Sequence, residues 1–141
     1  MLATWLYLST SNLSDREQVA AIDLIVAVSR RRNVDLKVTG ALIFSGSRFA
    51  QWIEGPPDNV TALRTAIERD TRHANVQTLE AGKVANRQFA GWSLAYSGQS
   101  TFVDRELQRV DERLPLDAGG AMRDLKLVLT EFSRTGGIKG F

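Results

Sequence analysis

The 141-residue sequence contains no cysteine. That removes disulfides, thiol nucleophiles and cysteine-ligated zinc together. Histidine occurs once, at His73, so a histidine-based triad or a multi-histidine metal site is possible only in reduced form. Also missing are a Gly-rich phosphate loop, a nucleophile elbow and a His-Glu-x-x-His helix. No apolar run approaches the roughly 18 residues of a membrane span. Met1-Leu2-Ala3-Thr4-Trp5 has no basic region ahead of an apolar stretch, so it does not read as a signal peptide. The expectation is a cytoplasmic protein without membrane contact. An excess of one charge is lacking too: 18 Lys and Arg face 16 Asp and Glu, a net charge of +2. The basic residues are scattered except for Arg30-Arg31-Arg32, which suits the negative end of a helix dipole. Nothing has the footprint of a nucleic-acid-binding protein.

What is present is the composition of one soluble domain. The chain is 43% apolar and 24% charged, enough to build a core without metal or disulfide staples. Trp5 to Ser9 reads as a strand. Ser14 stands three residues before Glu17, the spacing of a capping box. Val19, Ile22, Ile25, Val26 and Ser29 then recur at helical spacing, which predicts a helix over about Asp15 to Arg32, closed by Asn33. Leu36 to Phe44 and Phe49 to Glu54, joined by Ser45-Gly46-Ser47-Arg48, read as a β-hairpin stopped by Gly55-Pro56-Pro57. Asp58 is placed to cap a second helix with Val60, Leu63 and Ile67 on one stripe. Val76 to Val84 and Trp92 to Tyr96 are the last strands. The order is the split βαβ pattern with an extra strand, a ferredoxin-like α+β fold with two helices on one sheet face.

The other face has a candidate cover. Val103, Leu107 and Val110 form one amphipathic stripe, and Met122, Leu125, Val128, Leu129 and Phe132 form another. Pro115 and Gly119-Gly120 punctuate between them, and Gly136-Gly137-Ile138-Lys139-Gly140 reads as a frayed end. Two such helices either pack on the open sheet face or pair with a second subunit, which makes a dimer the expected assembly. The division expected is residues 1–97 as one domain and 98–141 as a two-helix extension.

Four residues call for explanation. Gln51 lies in an apolar strand, on the same face as Phe49 and Ile53 by period-two spacing. If that face looks inward its amide needs partners; otherwise Ala50 and Trp52 point to the core. Asn33 by itself is a common helix terminator, and Tyr7 by itself is an ordinary strand aromatic. His73 after Arg72 would, by itself, be a surface residue at a helix end.

In combination these residues closely resemble the BLUF family, the blue-light sensors that use FAD. The resemblance covers Leu2 to Tyr96. It rests on Met1-Leu2-Ala3-Thr4-Trp5-Leu6-Tyr7, Ser29-Arg30-Arg31-Arg32-Asn33, Val38-Thr39-Gly40-Ala41-Leu42, Phe49-Ala50-Gln51-Trp52-Ile53-Glu54-Gly55, Asp70-Thr71-Arg72-His73 and Arg87-Gln88-Phe89-Ala90-Gly91-Trp92 in this order and spacing. The segment between Tyr7 and Asn33 is about two residues longer than in many relatives. An inexpensive loop insertion at Ser11-Asn12-Leu13 keeps Tyr7, rather than Ser9, at the position of the family tyrosine.

The resemblance implies a flavin held without a covalent bond, FAD by the family description, with FMN or riboflavin also possible. Ile25 and Ile67 would sandwich the ring, and Phe49 would line the site. Asn33 would bond the pyrimidine edge, with Arg32 nearby. Ser29, Asp70, Arg72 and His73 would line the ribityl and phosphate end. Tyr7 and Gln51 would be the photochemical pair: light-driven transfer of an electron and a proton from Tyr7 would rewire the hydrogen bonds of Gln51, by rotation or tautomerism. No cysteine adduct is needed, in keeping with a chain that has no cysteine. Trp92 and Leu94 would carry the change onward, Leu94 standing where many relatives have methionine.

The function implied is a light-gated interaction module, not an enzyme, signalling through the C-terminal helices to a downstream protein partner. Nothing after Tyr96 has the length of an effector enzyme. Two alternatives differ in kind. A flavin-binding scaffold without photoactivity would be yellow and unresponsive to light. An acylphosphatase-like hydrolase would be colourless and turn over acyl phosphates.

Overall fold

Leu2–Ser11 forms strand β1, in which six consecutive residues, Thr4 to Ser9, are buried. A strand buried on both faces needs cover on both, and the rest of the chain supplies it. The computed structural model describes residues 1–92, 94–97 and 100–135, without side-chain detail at 95–97 and 133–135. The expected frayed end at 136–140 lies outside the described residues.

Helix α1 spans Gln18–Asp35, three residues later at each end than its periodicity predicts. The capping box does form: the Ser14 amide donates to Glu17 Oε1 (2.9 Å) and the Glu17 amide to Ser14 Oγ (3.3 Å). It closes a separate turn ahead of the regular helix. The face that α1 buries runs through Ile22, Val26, Ser29 and Asn33, and Val19, expected on it, is exposed.

Strands β2 (Thr39–Phe44) and β3 (Arg48–Gly55) make the predicted hairpin, closed by Ser45 N–H to the Arg48 carbonyl at 3.0 Å. Gly40 permits its closest approach, since the Trp52 carbonyl occupies the place a Cβ would take. Helix α2 spans Pro57–Glu68. Its N-cap is Pro56, and Asp58 sits inside the first turn instead of capping it, where its charge suits the helix dipole. Strand β4 runs His73–Val84 and β5 is only Ala95–Ser97; Trp92, expected in that strand, lies in the turn before it. Helix α3 (Thr101–Arg113) is capped by Ser100 Oγ. Helix α4 covers Ala118–Thr135, so Gly119 and Gly120 lie within its first turn and not in the linker.

The sheet order is β4-β1-β3-β2-β5, antiparallel throughout except that β5 runs parallel to β2. This is the expected ferredoxin-like arrangement with an added edge strand. Pleating sends successive residues to opposite faces. Tyr7, Leu42, Phe49 and Ile53 meet Ile22, Val26, Leu63 and Ile67 of α1 and α2. Leu6, Leu8, Ile43, Ala50 and Trp52 meet Val103, Leu107, Val110, Leu125 and Leu129 of α3 and α4. Both C-terminal stripes therefore lie on the sheet of their own chain. No helix among the described residues is long and apolar enough to cross a membrane.

Candidate functional site

Tyr7 of β1 and Gln51 of β3 are direct cross-strand neighbours, with Leu42 of β2 on the far side of Gln51. The Tyr7 hydroxyl donates to Gln51 Oε1 at 2.7 Å, and both side chains are buried. Gln51 therefore faces inward, and so do Ala50 and Trp52, because each sheet face has its own helices. Burial pushes the Tyr7 phenol far above its ordinary pKa, the Asp70 charge adds to the rise, and Arg32 opposes it.

His73 opens β4 and is buried beside this pair, not at the surface. Its Nε2 lies 2.7 Å from the Ile67 carbonyl, which can only accept, so Nε2 carries a hydrogen. Its Nδ1 lies 2.7 Å from Ser9 Oγ. The ring meets Tyr7 and Phe49 edge-on, each at a centroid distance of 5.9 Å. Ser9 thus serves to hold His73, while Tyr7 reaches Gln51.

Above these residues, between α1 and α2, is a cavity of about 140 Å³. Ile25 and Ile67 stand on its two helices, and Tyr7, Leu42, Phe49 and Gln51 form its floor. Ser29, Arg32, Asp70, Arg72 and His73 line its polar part. Arg72 grips Asp70 with two guanidinium nitrogens (Nε to Oδ1 2.9 Å, Nη2 to Oδ2 2.6 Å) and its own amide. These bonds hold the Asp70 carboxyl below the usual carboxylate range. Partial burial lowers the Arg32 guanidinium from its ordinary value, against the pull of Tyr7 and Asp70. Its Nε is buried with no hydrogen-bond partner among the described residues.

Of the residues singled out in the sequence, Tyr7, Ile25, Ser29, Arg32, Phe49, Gln51, Ile67, Asp70, Arg72 and His73 all line this one cavity. Asn33 does not line it; it is fully buried next to Arg32, its backbone carbonyl accepting from Val38 N–H at 2.8 Å. Trp92 is half-buried against the α3–α4 side of the sheet, whereas Leu94 is fully buried on the cavity side. Leu24, Val28, Leu42 and Ala66 complete the lining; Leu42 lay in a quoted stretch without a role, and the other three escape a reading by motif. Helical arithmetic would have found Leu24 and Val28, which lie eight and four residues before Arg32 on one face of α1.

Paired aliphatic walls, a floor able both to donate and to accept, and an unpartnered cationic nitrogen fit a flat heterocycle bearing an anionic tail. A flavin has that chemistry. Among the described residues no three His, Asp or Glu side chains stand together to hold a metal ion.

Fold and cavity together define a ferredoxin-like sensor domain of the flavin-binding kind. Residues 2–95 match the family described as sensors of blue-light using FAD, and the chain belongs to this BLUF family. It is 39% identical over 89 residues to the blue light- and temperature-regulated antirepressor BluF of Escherichia coli K12, spanning 63% of this chain and 22% of that protein. It is 32% identical over 96 residues to the photoactivated adenylate cyclase subunit beta of Euglena longa, spanning 66% of this chain and 11% of that one. The chain thus matches about a fifth or less of the length of these curated relatives. The dark-state structure of the BLUF protein BlrB superposes with a TM-score of 0.72 at 31% identity, over 91% of this chain and 97% of that one. The photo-activated state of BlsA, at 22% identity and a TM-score of 0.73, shares the fold. The family's sensor domain binds flavin and is not itself enzymatic; in relatives such as the cyclase subunit it is joined to other functions.

Proposed function

We propose that the chain senses blue light through Tyr7 and Gln51 and passes the change across its sheet to α3 and α4. The observation that carries this reading is the 2.7 Å hydrogen bond from the Tyr7 hydroxyl to Gln51 Oε1 on the cavity floor. A bound flavin supplies, on absorbing blue light, an excited state able to accept an electron. Tyr7 would be the donor: its phenol is protonated, so an electron given to the excited flavin would leave with the phenol proton. That proton would pass along the hydrogen bond to Gln51 and on to the flavin. With Oε1 taken by Tyr7, the amino end of Gln51 is left to donate into the cavity, and rotation or tautomerism of the amide exchanges these roles without moving the backbone. Ile25 and Ile67 would exclude water from the faces of the ring, Phe49 would close the floor beside it with His73 on the polar side, and Arg32 would offer its free Nε–H to a polar atom of the flavin. Ser29, Asp70 and Arg72 flank the tail. Asn33 reaches the pyrimidine edge only if α1 adjusts on binding.

FAD is the expected flavin, with FMN or riboflavin as alternatives because the grip is mainly on the ring; chromatography of the flavin released by denaturation decides. The output is a downstream protein partner, in a cytoplasmic setting. The stripes that suggested a dimer are used on the sheet, so self-association would have to employ other surfaces, such as the exposed Phe102, Leu116 and Leu127 of the C-terminal part. The division at about residue 97 separates light detection from output, although the two parts share a core.

The test is a visible absorption spectrum of the purified protein in darkness and after a blue flash. A flavin spectrum that shifts slightly to the red and recovers in the dark is expected, and Tyr7→Phe should abolish it. A yellow protein without any response would leave the scaffold reading instead.

A further inference from the structure

We propose that Glu54 is the positioning residue that fixes the Arg87–Trp92 segment to β3 and thereby couples Gln51 to the face covered by α4. The coupling rests on the reading of Tyr7 and Gln51 given above; the anchoring does not.

Glu54 is fully buried, three residues beyond Gln51 on β3. Its Oε1 accepts from Trp52 Nε1 (3.0 Å) and the Gln88 amide (2.7 Å). Its Oε2 accepts from Thr39 Oγ1 (2.6 Å) and the Phe89 amide (2.8 Å). Arg87 clamps the same corner, donating to Thr39 Oγ1 (2.9 Å), the Glu54 carbonyl (3.3 Å) and the Lys37 carbonyl (2.8 Å). A carboxylate can accept from four donors at once, and an amide cannot, because its NH2 end would oppose two of them. Burying a carboxylate is costly unless it is bonded this fully, so the group has its use in what it holds.

What it holds is the start of a short path between the two sheet faces. From Phe89 the chain turns, with Trp92 N–H on the Phe89 carbonyl (3.0 Å). Gly40 N–H then donates to the Trp92 carbonyl (3.2 Å), and Arg30 Nε of α1 to the Leu94 carbonyl (3.2 Å). The Trp92 ring packs on the α3–α4 side and the Leu94 side chain on the cavity side. Trp52 joins the same carboxylate to α4: it neighbours Gln51 in β3, and Lys126 Nζ of α4 lies 5.1 Å from its ring centroid while pairing with Glu80 at 2.5 Å. A displacement of β3 at Gln51 therefore reaches Trp92, Leu94 and α4 through one side chain that touches neither cavity nor surface.

The experiment compares flavin-loaded wild type and Glu54→Gln by amide hydrogen exchange in darkness and in light, with absorption spectra alongside. Glu54→Gln should keep the dark spectrum and the light-induced red shift. It should raise exchange at Gln88 and Phe89 in darkness about tenfold, the loss of roughly one hydrogen bond's protection, and lose the light-minus-dark exchange difference in α4. Unchanged exchange at Gln88 and Phe89, or an α4 difference kept in full, would overturn the proposal. Thr39→Val, which removes one donor and Arg87's acceptor, should raise exchange at the same amides by less; no rise overturns the anchoring even if Glu54→Gln fails to fold. A wild type without any red shift defeats the sensor reading, and the dark arm still decides whether Glu54 holds the loop.

Discussion

At Tyr7 the same burial that suits the phenol for light chemistry also ties its protonation to stability. Its folded-state pKa lies far above the unfolded value of about 10. Below pH 10 the phenol is neutral in both states and contributes nothing to the pH dependence. Above it the unfolded chain releases the proton and the folded one does not, so stability falls by about 1.4 kcal/mol per pH unit from this group alone. Denaturant unfolding of wild type and Tyr7→Phe between pH 8 and 11.5 should diverge by this slope only above pH 10; parallel curves would mean that the phenol is not sealed. Asp70 behaves in the opposite sense, since Arg72 depresses its folded pKa. Its contribution is present above the ordinary aspartate range and is lost as pH falls through the depressed value, so Asp70→Asn should flatten the acid limb of stability. The residue scale is also where the sequence was least informative without a family to compare. Gln51 was ambiguous because a two-sided core buries residues of both parities, and His73 looked like a surface residue because its partners, Ser9 and the Ile67 carbonyl, are remote in sequence or belong to the backbone. Glu54 stood in one of the stretches that carry the resemblance, but its role was not legible: three of its four bonds come from Thr39, Gln88 and Phe89, whose closeness only the fold creates.

At the level of elements, type and order were legible and edges were not. Helix α2 followed its stripe because Val60, Leu63 and Ile67 face one core. Helix α1 shifted by three residues because it has two apolar aspects, one towards the sheet and one, through Leu24, Ile25 and Val28, towards the cavity. Strand β5 was overestimated since Trp92 reads as a strand residue by type but packs from a turn. The capping box supports a turn ahead of α1, so Ser14→Ala should cost about 0.5–1 kcal/mol in chemical denaturation, the low end for a lost cap. The hairpin tip should be more sensitive. Asp104 of α3 accepts from both Ser45 and Ser47 at 2.6 Å, with Arg48 at 4.0 Å. Asp104→Ala removes two bonds between α3 and the β2–β3 turn, and should cost about 1–3 kcal/mol and raise exchange across α3. A loss under 0.3 kcal/mol would place the docking of α3 in its apolar stripe alone.

For the molecule as a whole, the sequence posed a choice that the packing resolves: α3 and α4 cover their own sheet. Val103, Leu107, Val110, Leu125 and Leu129 lie against Leu6, Leu8, Ile43, Ala50 and Trp52 in one cluster. Leu125→Ala should therefore cost about 2–5 kcal/mol, as for a buried leucine in any core. Ending the chain at residue 97 exposes that whole sheet face while leaving Tyr7, Gln51 and their helices intact. An apolar patch of that extent is larger than soluble monomers usually show. The truncated protein should self-associate in size-exclusion chromatography and bind a hydrophobic dye, yet still take up flavin and show the red shift, because detection and cover lie on opposite faces. A truncated protein that stays monomeric and binds no dye would mean that the sheet does not need its helical cover. Loss of the red shift together with the helices would mean that the two faces work as one unit, with β3 unable to hold Gln51 in place unless α4 presses on Trp52.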